Sequence, residues 1–145
     1  MKKSLIVFRK WILIFVIIIF SIIGKPLAGM LFPKNKSVDK FLMQTASEIN
    51  KSCPYMVNKD TRVDNAVALI DNTIQFNYTM TNHLKEEIDI SQLKINTAKP
   101  LLNGIKTSPN LKIFRDNRVT MIYEYKDKVG VFLFSLQFKY DDYKQ

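Results

Sequence analysis

The sequence is poor in the residues from which most enzyme chemistry is built. One cysteine (Cys53), one histidine (His83) and four glycines stand among 145 residues. A lone cysteine closes no intramolecular disulfide, so an exported domain made from this chain must rely on its core. One His and one Cys do not compose an ordinary zinc site, and the acids lack EF-hand spacing, so no metal is expected. No glycine-rich phosphate loop, GxSxG or HExxH occurs, and no cofactor is expected. A cysteine nucleophile needs a base. Only His83 is available, in the loop-like "TNHLKEE", whereas Cys53 falls at the last apolar position of a predicted helix, where free cysteine behaves as a small hydrophobe.

Acidic residues are also scarce. Lys and Arg number 22 against 13 Asp and Glu. The excess is concentrated: Lys2, Lys3, Arg9, Lys10 and Lys25 flank an apolar N-terminal run that contains no acid, and the rest of the chain is only mildly basic. No Lys/Arg block occurs beyond that region, which argues against nucleic acid as a partner.

The longest apolar run is "WILIFVIIIFSIIG" (11–24), behind the basic "MKKSLIVFRK". The layout fits a signal-anchor spanning residues 1–32, with a cleaved signal peptide as the alternative. Lys25 can snorkel and "PLAGMLF" extends the apolar stretch. The positive charges before the run favour an N-terminus inside and the remainder outside, with the lipid bilayer as one partner. "PKNKS" (33–37) reads as a linker, and residues 38–145 as one extracytoplasmic domain.

Within that domain Ser37 is a candidate cap for a helix from Val38, whose apolar stripe runs through Phe41, Leu42, Thr45, Ala46, Ile49 and Cys53 to a stop at Pro54. "TRVDNAVALI" and "TIQFNYTMT" read as a hairpin around Asp71-Asn72. Pairing Ile70 with Thr73 puts Val63, Val67 and Leu69 on an apolar face and Arg62, Asp64, Ala66 and Ala68 on a polar one. A second helix follows, capped by Asp89 or Ser91 and interrupted or kinked at Pro100. "VTMIYEYK" and "VFLFSLQFKY" form a second hairpin, in which pairing Lys126 with Val131 aligns Met121, Tyr123 and Tyr125 with Leu136, Phe134 and Phe132. The expected fold class is α+β: a transmembrane helix, then a small domain of order α-ββ-α-ββ with antiparallel hairpins.

Two Arg-Asp groupings are the candidate binding residues. Arg62 and Asp64 lie two apart on the polar hairpin face, a spacing at which a carboxylate orients a guanidinium. Arg115 and Asp116, in "FRDNR", stand in an expected turn before the third strand. No catalytic residue is expected.

Asn50, Pro54, Val57, Thr61, Arg62 and Asp64, followed by Tyr78-Thr79 and then Tyr123, Tyr125, Asp127 and Gly130, form the pattern NxxxPxxVxxxTRxD … YxYxDxxG. The pattern resembles that of a family of small uncharacterised bacterial proteins that are membrane-anchored or exported. The resemblance implies an envelope location and no particular activity. The expected function is a membrane-anchored binding or accessory protein of the bacterial cell envelope, of a protective (immunity or exclusion) kind, with a protein partner there. The alternative is a structural subunit of a membrane or secretion assembly, and an enzyme is the least favoured reading. Protease added outside intact cells should digest residues 33–145 and spare a tag on the N-terminus. A soluble form with a new N-terminus near Gly29 would establish cleavage instead.

Overall fold

The computed structural model describes residues 37–144. The expected span at 1–32 and most of the linker lie outside the described residues, as does the Ser37 side chain. Among the described residues no helix is long and apolar enough to cross a membrane.

Helix α1 (Ser37–Asn50) leads into strands β1 (Tyr55–Asn58), β2 (Thr61–Leu69) and β3 (Thr73–Met80). A short 3-10 turn (Lys85–Glu87), helix α2 (Ile90–Thr107) and the small helix α3 (Lys112–Asp116) follow. Strands β4 (Thr120–Lys126) and β5 (Phe132–Phe138) and a terminal turn of helix, α4 (Tyr140–Tyr143), complete the domain. The five strands form one sheet in sequence order. The α+β class and both hairpins are therefore as expected, with three additions. β1 precedes the first hairpin, the two hairpins join through a parallel β3–β4 pair, and "KIFRD" is helical where a turn was expected.

The parallel junction follows from the first turn. Asp71 and Asn72 both adopt the left-handed conformation (φ 58° and 53°), which Asp and Asn tolerate. The Asn72 carbonyl accepts from Thr120 N at 3.0 Å, and its Nδ2 donates to the Asn117 and Arg118 carbonyls. The turn thus holds the start of β4 beside the start of β3, so both strands must run the same way.

The register of the first hairpin corrects the sequence reading. Leu69 pairs with Thr73, leaving a three-residue loop, and a β-bulge falls between Val63 and Asn65. The bulge reverses the alternation of the rest of the strand. Val63 and Ala66 are 1% exposed, whereas Val67 and Leu69, expected in the core, are 40% and 37% exposed. The second hairpin keeps its predicted inward face but slides by two residues: Met121, Tyr123 and Tyr125 pair with Phe138, Leu136 and Phe134.

Ile74, Phe76 and Tyr78 of β3 continue that inward face, which the helices cover through Phe41, Leu42, Ala46, Ile105 and Phe114. Tyr78, Tyr125 and Phe134 stack across three neighbouring strands at 4.9 and 4.7 Å. Asp89 caps α2, accepting from Gln92 N at 2.9 Å, and the helix continues through Pro100 to Thr107 without a restart. α1 ends at Asn50, so Cys53 sits in the following turn, half-buried against the core.

The bulged register is open to test by thermal melting of single variants. Val63→Asp and Ala66→Asp bury an unpaired carboxylate and should each cost on the order of 4 kcal/mol or more, enough to unfold a domain of this size. Val67→Asp should cost about 1 kcal/mol or less. Equal damage at positions 63 and 67 would restore the unbulged pairing.

Candidate functional site

In a classic bulge the two opposing residues on the longer strand point the same way, so Asp64 and Asn65 both reach the outer face of the sheet. Asp64 Oδ1 accepts from Arg62 Nε at 2.6 Å and its Oδ2 accepts from Thr79 Oγ1 at 2.5 Å. The Arg62 side chain is 41% exposed and that of Asp64 24%, so the pair is held at the surface. Its salt bridge contributes at most about 1 kcal/mol. The predicted Arg62–Asp64 arrangement is present, and Thr79, which the expected register also sets opposite Asp64, is its third member.

Beside it a hydrogen-bonded row crosses the sheet. Asn77 Nδ2 donates to Asn65 Oδ1 at 2.5 Å, and Gln75 Nε2 donates to Asn77 Oδ1 (2.8 Å) and Glu124 Oε2 (3.3 Å). Lys126 Nζ stands 3.4 Å from the other Glu124 oxygen. The pairing Met56–Arg62–Thr79–Lys126–Phe132 makes one rung of this face, with exposed apolar residues at both ends. The result is a flat, ordered surface of amides and ion pairs rimmed by Met56, Val67, Leu69 and Phe132.

Arg115 and Asp116 belong elsewhere. Arg115 Nη1 donates to the Ile105 and Ser108 carbonyls at 2.7 and 2.8 Å, satisfying the C-terminal end of α2. Asp116 pairs with Lys112 at 2.6 Å on exposed α3. Both line a shallow concavity with Arg118, Tyr140, Tyr143 and Lys144. Arg118 lies 5.0 Å from the centre of the Tyr140 ring, and the Tyr143 hydroxyl donates to the Val119 carbonyl at 2.7 Å. Burial pushes the Tyr143 phenol up to about 12. Among the described residues no hydrogen bond or ion pair joins this region to Arg62 and Asp64, so they do not bring the two groupings into one site.

The remaining pattern residues hold the fold. The Asn50 amide grips Ala66 at both ends, Oδ1 accepting from Ala66 N (2.7 Å) and Nδ2 donating to its carbonyl (2.9 Å). Asp127 is 1% exposed. Burial acts to raise its pKa, but backbone N–H bonds from Val131, Lys85, Val129 and Gly130 outweigh it and hold the carboxyl below the usual range. These bonds close the β4–β5 turn, where Gly130 takes φ 88°, and tie it to the segment after β3. The Cys53 thiol is pushed up by burial and then by Asp64, opposite to what a nucleophile requires. Burial likewise raises the phenols of Tyr78, Tyr123 and Tyr125. Among the described residues no three His, Cys, Asp or Glu side chains are grouped to hold a metal.

Among the described residues, a five-stranded sheet with helices on one face and an uncovered polar face on the other defines the class of domain. Residues 37–134 match the family model "Domain of unknown function (DUF8479)", and the chain belongs to that family. No curated protein matches. Solved structures share the fold. A Pseudomonas aeruginosa protein described as a candidate secreted protein aligns with TM-score 0.62 at 12% identity, over 74% of this chain and 93% of its own. The type II secretion system pilotin AspS of Vibrio cholerae aligns with TM-score 0.55 at 8% identity, over 72% and 91%. The type II secretion pilotin EpsS of Vibrio vulnificus aligns with TM-score 0.58 at 6% identity, over 74% and 93%.

Because the folded-state pKa of Asp127 is depressed, its contribution to stability is present above the unfolded carboxylate pKa near 4 and is lost as pH falls through the folded value. Asp127→Asn should lower the melting temperature at pH 7 and flatten the loss of stability on acidification. A variant with the wild-type acid profile would remove Asp127 as the group responsible.

Proposed function

We propose that this chain is a membrane-anchored, extracytoplasmic accessory protein of the bacterial cell envelope. In this reading it binds a protein partner through the outer face of its sheet and performs no chemistry of its own. One observation carries it: among the described residues nothing covers the ordered face built on Arg62, Asp64 and Thr79, and the described helices pack on the other side. Fixed side chains lose little further freedom on binding, so such a face favours recognition. The apolar rim supplies area to desolvate around a polar centre.

The two pilotins, by their names components of type II secretion systems, support a partner within a membrane or secretion assembly over a protective role. The apolar run at 11–24 supports a single-pass anchor, N-terminus inside, that confines the domain to the membrane surface. The lipid bilayer is then the second partner, and nucleic acid has no place in the scheme. The Arg115–Asp116 grouping serves the end of α2 in this reading and is not a contact surface.

Photo-crosslinkers placed in cells at Met56 or Val67 should capture an envelope protein, and one at Met43 on the exposed side of α1 should not. Arg62→Ala and Asp64→Ala should abolish capture while moving the melting temperature by only a few degrees. Capture from Met43 alone, or full capture by both alanine variants, would defeat this reading. A large drop in melting temperature for Arg62→Ala would make that residue structural.

A further inference from the structure

The two edges of the sheet are built differently. β1 has four residues and an irregular register between Met56 and Asn58. Beyond it the exposed edge of β2 is occupied by the Asn50 amide at Ala66. That edge is blunted in the ways natural sheets use to avoid unwanted pairing. The opposite edge, β5, has seven residues reading "FLFSLQF", without charge, proline or glycine. It pairs with β4 alone, and among the described residues no other hydrogen bond engages its backbone. The single irregularity falls at its start, opposite Tyr125 and Lys126, so Phe134–Phe138 keeps a regular edge.

We propose that β5 is the pairing edge of a two-fold homodimer, running antiparallel to β5 of a second copy with Ser135 opposite Ser135. Antiparallel strands related by a two-fold axis keep the same face of the sheet uppermost. Residues opposite each other must therefore share a face, and a one-residue slip would set core-facing side chains against solvent-facing ones. Centring on Ser135 is the allowed register that engages residues 133–137, in phase up to the irregularity at the strand's start. Phe134 then faces Leu136 on the core side and Leu133 faces Gln137 on the other, while Phe132, set on the outer face by the irregularity, lies outside the paired stretch. No like charges meet, because the strand carries none. On the core face a second copy thus supplies an apolar side chain opposite an apolar one in an isologous contact.

The test uses the full-length chain in detergent micelles. In a Cys53→Ala background, Ser135→Cys places two thiols directly across the two-fold, where Cβ atoms sit about 5 Å apart. Mild oxidation should link it into a dimer, while Gln137→Cys, which faces Leu133, should stay unlinked. Ser135→Lys puts a lysine opposite Glu124 within its own chain, a favourable cross-strand pair, but sets lysine against lysine in the dimer. It should sediment as a monomer with a melting temperature within a few degrees of wild type. Equal linking of the two cysteine variants, or a Ser135→Lys variant that remains dimeric, would overturn the proposal. So would a monomeric wild type whose capture of another envelope protein is lost on Ser135→Lys, which would give the edge to a foreign strand.

Discussion

One extra residue in β2 governs the domain. With Asp64 bulged out, Val63 stays in the core, Asp64 and Asn65 share the outer face, and Ala66 returns inward. That placement presents the Ala66 backbone to the Asn50 amide, which ties the end of α1 to the strand that it packs on. It also sets small alanines, Ala66 and Ala68, on the inward side of β2. The helix then packs with Phe41 and Leu42 buried, since a bulkier pair of side chains beneath it would have to be accommodated in rotamers already fixed by packing. Carboxylate, helix and core composition are thus consequences of one local irregularity.

The residue pattern that runs from Asn50 to Gly130 gains a physical meaning from this arrangement. Asn50 and Asp127 each satisfy backbone groups at a point where regular pairing stops. Asn50 acts beyond the end of β1 and Asp127 at the final turn. A domain with no disulfide depends on such satisfaction, because an unpaired buried donor forfeits its full desolvation cost. The tyrosines perform the complementary task. Stacked across β3, β4 and β5, they fill the inward face with wide, flat side chains that fit the strand spacing.

Features set by local sequence could be read in advance. The stripe of α1, the Asp89 cap, the left-handed Asp71-Asn72 turn and the inward aromatics of β4 and β5 each depend on a few neighbouring residues. What escaped were quantities fixed across the chain. Nothing in "TRVDNAVAL" announces a bulge, because Val63, Val67 and Leu69 alternate as well as any regular strand; the Asn50 amide that holds Ala66 in the bulged register is distant in sequence. The parallel β3–β4 pair is set by Asn72 reaching Asn117 and Arg118. β1 is four residues long and too short to show a period. Of the candidate site, Arg62 with Asp64 was legible from spacing, whereas Arg115 next to Asp116 gave a similar Arg-Asp signal and serves the end of α2.

The outer face and the β5 edge impose geometric conditions on one another. A two-fold axis normal to the sheet leaves the outer faces of both copies on the same side, so pairing through β5 would double the proposed binding surface without covering Arg62 or Asp64. β2, which carries them, lies three strands from that edge. The helices of both copies fall together on the opposite side, and α1 is where the segment leading to the apolar run begins. A pair anchored as proposed would hold two equivalent faces in one plane. It therefore suits a partner that repeats its own subunits, as a membrane assembly does, better than a single compact protein. Two modest contacts presented together gain effective concentration that neither has alone.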